Sequence, residues 1–448
     1  MRIVYIIPGP AGPLFEKNSL REQGLVAELR WDGHDVLFVP ILFPLGSGTP
    51  VSLPSEAEPL LVGAVRVYAR QSMPALARHA PEWFWRLVDK PLVRKFVAKR
   101  VMATPKRFSD FMKDVLDGRN GALVAEINKL CEWLKAHQKP DIIYLSTPFL
   151  LGIAPMLKRA LRVPVACAMN SELEEISHLQ GPDAIILLTK LRSAVPDADG
   201  FIPVSNYHSQ RIHRRLGIAT SATRFVHPGI YIDNIPPTPP PDVSSIGILV
   251  REGGKPSTIS PATVVTALSK NKSSRGIPIR VAFETSLMRK SGKKRKSRKD
   301  QKIRSIIDAG GSVETLPQDE EELHAFLGTH DIIIFIHPEQ CPAFDYAIIE
   351  ALACSVPVLL PDNGANSEIA GLSNAVFLYS DVNKILTVVA KVMAMPGEAK
   401  ASLRAKARYS VEHCFSMPRM ARETADALQG IINRNSPPPE SWPLRTSN

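Results

Sequence analysis

Residues 331–369 constrain the fold more than any other part of the sequence. They read DIIIFIHPEQCPAFDYAIIEALACSVPVLLPDNGANSEI and predict a strand over Ile332–Ile336, a helix over Phe344–Cys354 and a strand over Val356–Leu360. A strand, a helix and a strand at this spacing form one right-handed unit with parallel strands. Ligands bind beyond the carboxyl ends of such strands, so we expect the loop at His337–Ala343 and the start of the helix to face a site.

One acid interrupts the apolar helix of this unit. Glu350 lies one turn beyond Tyr346, among alanine, isoleucine and leucine residues. It is either a solvated side chain on an exposed face or a ligand-binding carboxylate, and the residues alone leave both open.

The length and composition indicate an ordinary globular protein. At 448 residues the chain can form two domains of about 200 residues, each with its own core. It is 44% hydrophobic and 22% charged, which excludes wholesale disorder. The cysteines are scattered and odd in number, which indicates reduced thiols: Cys131, Cys167, Cys341, Cys354 and Cys414. No cysteine or histidine cluster has metal-ligand spacing, so we expect no structural zinc.

Neither the N-terminus nor the most apolar internal stretch predicts a membrane segment. The run before Pro8 is too short for a signal peptide and predicts a buried first strand. The stretch from Ile142 to Leu157 is cut by proline, glycine and hydroxyl residues into a strand and a helix. We therefore expect a cytoplasmic protein.

Most of the net charge of +11 is concentrated in one short run. Arg289–Lys302 carries nine Lys/Arg and one Asp, which leaves about +3 for the rest of the chain. We expect a solvated loop here, followed by a helix over Ile303–Ala309; contact with phosphate, anionic lipid or a polyanion is the alternative. Charge confined to one loop argues against specific nucleic-acid binding.

The first half begins with a strand, a glycine loop and a helix. The strand covers Ile3–Ile7, the loop contains Gly9 and Gly12, and the helix runs from about Asn18 to Trp31 and ends at Gly33. Glycines after a first strand are typical of backbone that approaches a ligand, and equally of any tight turn.

Two later segments of this half have alternative interpretations. Residues 51–134 predict mostly helix and interleave aromatic and basic residues at 81–102. We expect domain helices there, and a basic amphipathic helix on an anionic membrane surface is the alternative. Asp197-Ala198-Asp199 spells a triplet that metal-dependent transferases use, but it immediately precedes a predicted strand, which favours a structural turn.

A proline-rich segment at 236–241 marks the boundary between two domains. The strand Ile246–Val250 follows, and the loop after it contains Arg251 and Lys255 around two glycines. Backbone N–H groups and cations at a helix start can hold a diphosphate; the alternative is a pair of solvated loop charges.

These elements, in this order, resemble GT-B glycosyltransferases, especially the retaining group-four family. The family's helix reads roughly E-G-F-G-x-x-x-x-E-A-x-A-x-G-x-P-V, and six residues match it: Phe344, Glu350, Ala351, Ala353, Pro357 and Val358. Pro342 replaces the family's first acid, and Asp345 and Ser355 replace glycines. Glu339 and Asp345 are the alternative sources of the missing carboxylate, although neither has the family's spacing.

The resemblance implies an α/β fold of the GT-B type, with two Rossmann-like doubly wound domains facing a cleft. The N-terminal, acceptor-side domain would cover residues 1–235, with a helical insert at about 51–134. The nucleotide-sugar-binding domain would cover residues 242–432, including closing helices that cross back onto the first domain. Residues 433–448 would form a disordered tail.

The resemblance also implies roles in the second domain. Arg251 and Lys255 would act catalytically by stabilising the phosphates of the leaving nucleotide. Glu350 would bind the ribose, with Phe344 beside it in the donor site. The loop Gly311–Pro317, which contains Glu314, would hold the nucleobase through backbone groups.

In the first domain, Gly9, Gly12 and Asn170 would orient the donor sugar. Relatives often carry a histidine where this chain has Asn170, and an amide cannot shuttle protons at neutral pH.

The function implied is transfer of a sugar from a nucleotide-diphosphate donor, with retention and without a metal or other cofactor. The acceptor would be a saccharide, a lipid-linked molecule or a small molecule, and a peripheral contact with the inner membrane face stays open. The alternative is a catalytically degenerate GT-B-like scaffold or binding protein in a polysaccharide or glycolipid pathway, favoured by Pro342 and Asn170. The sequence does not determine the sugar, the base, the acceptor or the oligomeric state.

Overall fold

Two parallel β-sheets organise the part of the chain that the structure, a computed structural model, describes. The described residues are 1–8, 12–41, 69, 81, 93, 96–97, 105–118, 121, 124–137, 139–177, 181–251, 257–283, 293–315, 320–338 and 343–435. Most of the predicted helical insert, including most of 81–102, therefore lies outside the described residues, as do Gly9, Lys255, Cys341, Pro342 and the tail from residue 436.

The first sheet has five strands in the order β2-β1-β3-β4-β5: β1 (Arg2–Ile7), β2 (Asp35–Pro40), β3 (Ile142–Leu145), β4 (Val165–Met169) and β5 (Gly200–Pro203). The second has six in the order β11-β10-β9-β6-β7-β8: β6 (Ile246–Val250), β7 (Ile279–Phe283), β8 (Ser312–Thr315), β9 (Ile332–Ile336), β10 (Val358–Pro361) and β11 (Val376–Tyr379). All neighbouring strands pair in parallel. Continuous apolar runs such as IIIFI suit strands buried on both faces. The predicted α/β class with two Rossmann-like units is confirmed.

Helices flank both sheets. Those described in the first half are α1 (Gly12–Trp31), α2 (Pro105–Leu116), α3 (Val124–His137), α4 (Ala154–Leu161), α5 (Glu172–Ser177), α6 (Pro182–Ala194) and α7 (Asn206–Leu216). Those in the second half are α8 (Pro261–Lys270), α9 (Lys293–Asp308), α10 (Glu320–Gly328), α11 (Tyr346–Ala353), α12 (Asn366–Leu372), α13 (Val382–Met393), α14 (Gly397–Cys414) and α15 (Met417–Asn435). None of the described helices is both long and apolar enough to cross a membrane.

Helix α1 differs from its prediction at one end and agrees at the other. It begins at Gly12 rather than near Asn18, so Gly12 belongs to the helix and not to the loop. Proline is tolerated in a first helical turn, and Pro13 therefore starts this helix instead of delaying it. Gly33 ends it as predicted, with φ at 83° and the His34 N–H donating to Leu29 O at 3.0 Å.

Three segments predicted as loops or tail are regular structure. The basic run is helical from Lys293 onwards, because lysine and arginine are good helix formers and their mutual repulsion does not prevent the helix. The predicted loop around Glu314 contains β8. At the other end of this half, α15 continues to Asn435, into the predicted tail.

Helix α15 packs on the first sheet although it follows the second in the chain. Met420, Leu428 and Ile431 share one buried cluster with Tyr5 and Ile202. This agrees with the expectation that the closing helices cross back onto the first domain.

Candidate functional site

The carboxyl edges of the two sheets lie against each other. Arg21 belongs to α1, which follows β1, and its Nη1 donates to the Tyr346 hydroxyl at the start of α11 at 2.7 Å. Ser205 follows β5, and its Oγ donates to the carbonyl oxygen of Ala343 at 2.9 Å. Because ligands of parallel sheets bind beyond the carboxyl ends of the strands, this junction is the candidate site.

On the second-domain side, Asp345 is the centre of a buried polar cluster. Its Oδ1 accepts the backbone N–H of Ala347 at 3.1 Å and so caps α11. Its Oδ2 lies 2.9 Å from Nε of Arg251, at the end of β6, and 3.0 Å from Nε2 of His337, just after β9. Asn366 donates through Nδ2 to Pro361 O at 3.0 Å, and the same nitrogen lies 3.3 Å from the other ring nitrogen of His337.

The Asp345 carboxylate is ionised in this setting. Burial raises its pKa, but the Arg251 charge, the His337 hydrogen bond and the Ala347 N–H outweigh burial and lower the pKa to about 2. Arg251 therefore reaches the candidate site with its charge already balanced by a carboxylate.

On the first-domain side, Asn170 and Arg21 form a second polar cluster. Arg21 donates through Nη2 to Asn170 Oδ1 at 3.1 Å and also pairs with Glu22. Asn170 donates through its side-chain Nδ2 to Ser146 O at 3.1 Å and through its backbone N–H to Glu172 Oε2 at 2.7 Å. Both polar ends of the Asn170 amide thus have partners within the protein.

The acids of this cluster favour the neutral form more than ordinary carboxylates do. Burial, and then the charge of Glu172, raise the pKa of Glu22 well above its usual value. Burial also raises the pKa of Glu172, although hydrogen bonds from Thr147 and from its neighbours oppose this. Burial alone would lower the pKa of Arg21, but Tyr346 and nearby groups outweigh it and raise the pKa. Arg21 is therefore a fixed cation between the two domains.

The structure brings some predicted site residues to this junction. Arg251 lies beside Asp345, and Asn170 beside Arg21. Glu350 is half-buried on α11, one turn beyond Tyr346, while the apolar residues around it are buried. It therefore lies near the junction, and the ribose-binding role stays a prediction.

Phe344 and Glu314 have other surroundings. Phe344 packs in an aromatic cluster, with ring centroids 6.3 Å from His227 and 6.0 Å from Phe415. The Glu314 carboxylate accepts two hydrogen bonds from Arg280, at 2.6 and 2.8 Å. Arg280 pairs in register with the first residue of β8, so this carboxylate turns away from the carboxyl edge. The structure does not bring the Glu314 side chain to the candidate site.

In the triplet Asp197-Ala198-Asp199, Asp199 has structural contacts. Asp199 accepts from Lys158 Nζ and from the Val165 N–H, both at 2.8 Å, which supports the structural interpretation. Within the described ranges, no group of three His, Cys, Asp or Glu side chains could hold a metal ion.

Sequence reasoning missed Arg21 and Glu368 as interdomain residues, and it placed His337 in a loop facing the site without giving it a role. Arg21 lies within α1 with no local motif to mark it. His337 and Arg251 each end a predicted strand, so the adjacency of β6 and β9 was the signal that could have joined them. Glu368 of α12 accepts backbone N–H groups at the start of α7, which no local pattern indicates.

Comparisons with known proteins agree with this architecture. Residues 23–234, slightly less than half of the chain, match the family model described as Glycosyltransferase Family 4. No curated protein matches the sequence significantly.

Solved structures match over nearly the whole chain. A glycosyltransferase from Rickettsia africae ESF-5 has 14% identity and a TM-score of 0.56, covering 96% of this chain and 98% of that one. Anabaena Alr3699/HepE in complex with UDP has 14% identity and a TM-score of 0.58, covering 96% and 100%. Sucrose-phosphate synthase from Thermosynechococcus elongatus has 14% identity and a TM-score of 0.57, covering 97% and 100%. The chain therefore has the GT-B fold, and its residues 23–234 are similar to the Glycosyltransferase Family 4 model.

Proposed function

We propose that the protein is a glycosyltransferase that takes a sugar from a nucleoside diphosphate donor. The observation that carries this proposal is the junction itself, where Arg21 of one domain bonds to Tyr346 of the other at 2.7 Å. A donor bound there would contact both domains, with its nucleotide on α11 and its sugar towards Asn170. Anabaena HepE has been solved with UDP and with UDP-glucose, so a uridine donor is the first to test.

The chemistry requires stabilisation of a departing diphosphate as the bond between the sugar and the phosphate oxygen breaks. Arg251 lies at the carboxyl end of β6 with 22% of its side chain exposed, and Lys255 follows in the same loop of the sequence. These two cations would balance the charge of the leaving group without a metal ion. We expect this electrostatic stabilisation to be the largest contribution to the rate enhancement. Glu350 would accept hydrogen bonds from the ribose, and transfer would proceed with retention, as the resemblance implies.

A catalytically degenerate scaffold is the second candidate. Two observations favour it: Arg251 is already paired with Asp345, and both polar ends of the Asn170 amide are occupied. Pro342, in place of the family's first acid, points the same way. Such a protein would retain the fold and bind partners or ligands without turnover. For either candidate, a cytoplasmic location with peripheral membrane contact stays a proposal.

Calorimetric titration with UDP, GDP and ADP tests whether the site binds a donor nucleotide at all. We expect micromolar binding of one nucleotide, weakened at least tenfold by Arg251→Ala and by Glu350→Ala. Glu412→Ala is a matched control, because this carboxylate lies on α14 with 44% of its side chain exposed and pairs with Arg408 along the same helix. Absence of binding by any of the three nucleotides would favour the scaffold.

A further inference from the structure

Asp345 holds the two kinds of group that proteins use to bind phosphate. One is a guanidinium, since Arg251 Nε lies 2.9 Å from Oδ2. The other is a helix N-terminus, since the Ala347 N–H donates to Oδ1 at 3.1 Å. Helix N-termini and arginine side chains bind phosphate oxygens as they bind the carboxylate oxygens of Asp345, by donating N–H groups to them. The motif of the resembled family has a glycine at this position, and a glycine carries no carboxylate.

We propose that Asp345 is an internal anion that occupies part of the diphosphate cradle of this protein, so that a donor must compete with it. The inference rests on the proposed function, because it concerns the same site. The Asp345 side chain is fully buried and is held by a third contact, with His337 at 3.0 Å. A phosphate oxygen cannot reach Arg251 Nε without breaking this pair, although 22% of the Arg251 side chain is exposed.

Competition follows from the charges. A fixed carboxylate beside Arg251 cancels most of the attraction between that cation and a diphosphate, and it repels the diphosphate directly. Removing the carboxylate should therefore tighten anion binding. A residue whose only role is to position Arg251 would give the opposite result, since its removal would leave Arg251 misplaced.

Two substitutions test this inference. Asp345→Asn removes the charge but keeps a side chain that caps a helix as well as aspartate does. Asp345→Gly restores the residue type of the resembled family. The matched control is Asp381→Asn, because Asp381 also caps a helix, accepting the Lys384 N–H at 3.0 Å at the start of α13, and lies exposed after the edge strand β11.

The experiment titrates each protein with UDP, GDP, ADP and inorganic pyrophosphate by calorimetry, after thermal melting has shown that each variant folds. We expect both Asp345 variants to bind pyrophosphate and one nucleotide at least tenfold more tightly than the unmodified protein, with Asp381→Asn unchanged. Binding that appears only in the Asp345 variants would support the inference equally.

Two other results would overturn the inference, and they differ in whether the proposed function survives. If the unmodified protein binds a nucleotide and the Asp345 variants bind it no better, the competition is absent while the proposed function stands. If no protein binds any nucleotide or pyrophosphate, the inference and the proposed function fail together.

Discussion

Glu368 should contribute a measurable part of the stability of the interface between the two domains. Its carboxylate, on α12, accepts the backbone N–H groups of Asn206 and Tyr207 at the start of α7, and it lies 3.0 Å from Nε2 of His227. A glutamine at this position keeps one acceptor oxygen but turns an NH₂ group towards the remaining donors. Hydrogen bonds to charged groups contribute about 1.5–3 kcal/mol, so we expect Glu368→Gln to lower the free energy of unfolding by that amount at pH 7.

The pH dependence of this loss gives a sharper test. Burial raises the pKa of Glu368, but the His227 hydrogen bond and the two N–H groups outweigh burial and lower it. A carboxyl group whose pKa is lowered by folding stabilises the protein above its unfolded pKa, and this contribution disappears as the pH falls through the folded value. The difference between the unmodified protein and Glu368→Gln should therefore be constant from neutral pH down to the ordinary glutamate value of 4.5 and narrow below it.

Urea denaturation followed by circular dichroism at several pH values measures this difference. Glu412→Gln is the control, since a 44% exposed carboxylate in an ion pair along one helix should change stability by less than about 1 kcal/mol. A Glu368→Gln variant as stable as the unmodified protein at pH 7 would refute the reasoning. A loss of stability in Glu368→Gln that is the same above and below pH 4.5 would also refute it.

Three further predictions concern buried contacts. Tyr346→Phe leaves a buried N–H of Arg21 without its acceptor and should cost about 1.5–3 kcal/mol in urea denaturation; a neutral result would mean that the domains do not hold this contact in solution. Gly229→Ala places a Cβ 2.5 Å from the Ser416 backbone oxygen and should lower the melting temperature by several degrees, whereas unchanged melting would show that the junction with α15 yields easily. Burial, and then Arg211, lower the pKa of His208 to about 3, so stability should fall by up to about 1.4 kcal/mol per pH unit as the pH drops below 6.5, and His208→Gln should flatten that slope.

The parts of the fold that could be predicted are those with strong local patterns. The strand Ile332–Ile336 has the same bounds in the prediction and in the structure, because an unbroken β-branched and aromatic run fits only a buried strand. The helix after it is shorter than predicted, since Asp345 caps it and Cys354 ends it. The basic run was predicted as a loop from its charge, although the helix propensity of its residues favoured a helix.

The candidate site was harder to predict because its contacts join residues far apart in the chain. Arg251 is identifiable from the sequence as a cation at the end of a strand, but no local pattern indicates that Asp345 neutralises it. In the sequence, Asp345 stands out as a replacement for a glycine and as one of two candidates for the missing acid, not as the partner of Arg251. Asp345 and Arg251 can pair because β6 lies next to β9. Strand order is a property of the whole sheet rather than of any segment. Arg21 and Tyr346 meet for the same kind of reason.

The position of α15 has a consequence for how the protein is made. The five strands of the first sheet leave the ribosome long before α15, yet Met420, Leu428 and Ile431 form part of the core that covers one face of that sheet. Helix α1 contributes Leu25, Val26 and Leu29 to the same cluster, but the part of this face that α15 covers stays exposed until α15 is made, so the first domain cannot reach its final form in the order of synthesis. A premature stop shortly before α15 would therefore damage the domain that was synthesised first, while leaving the more recently made second sheet with all its strands.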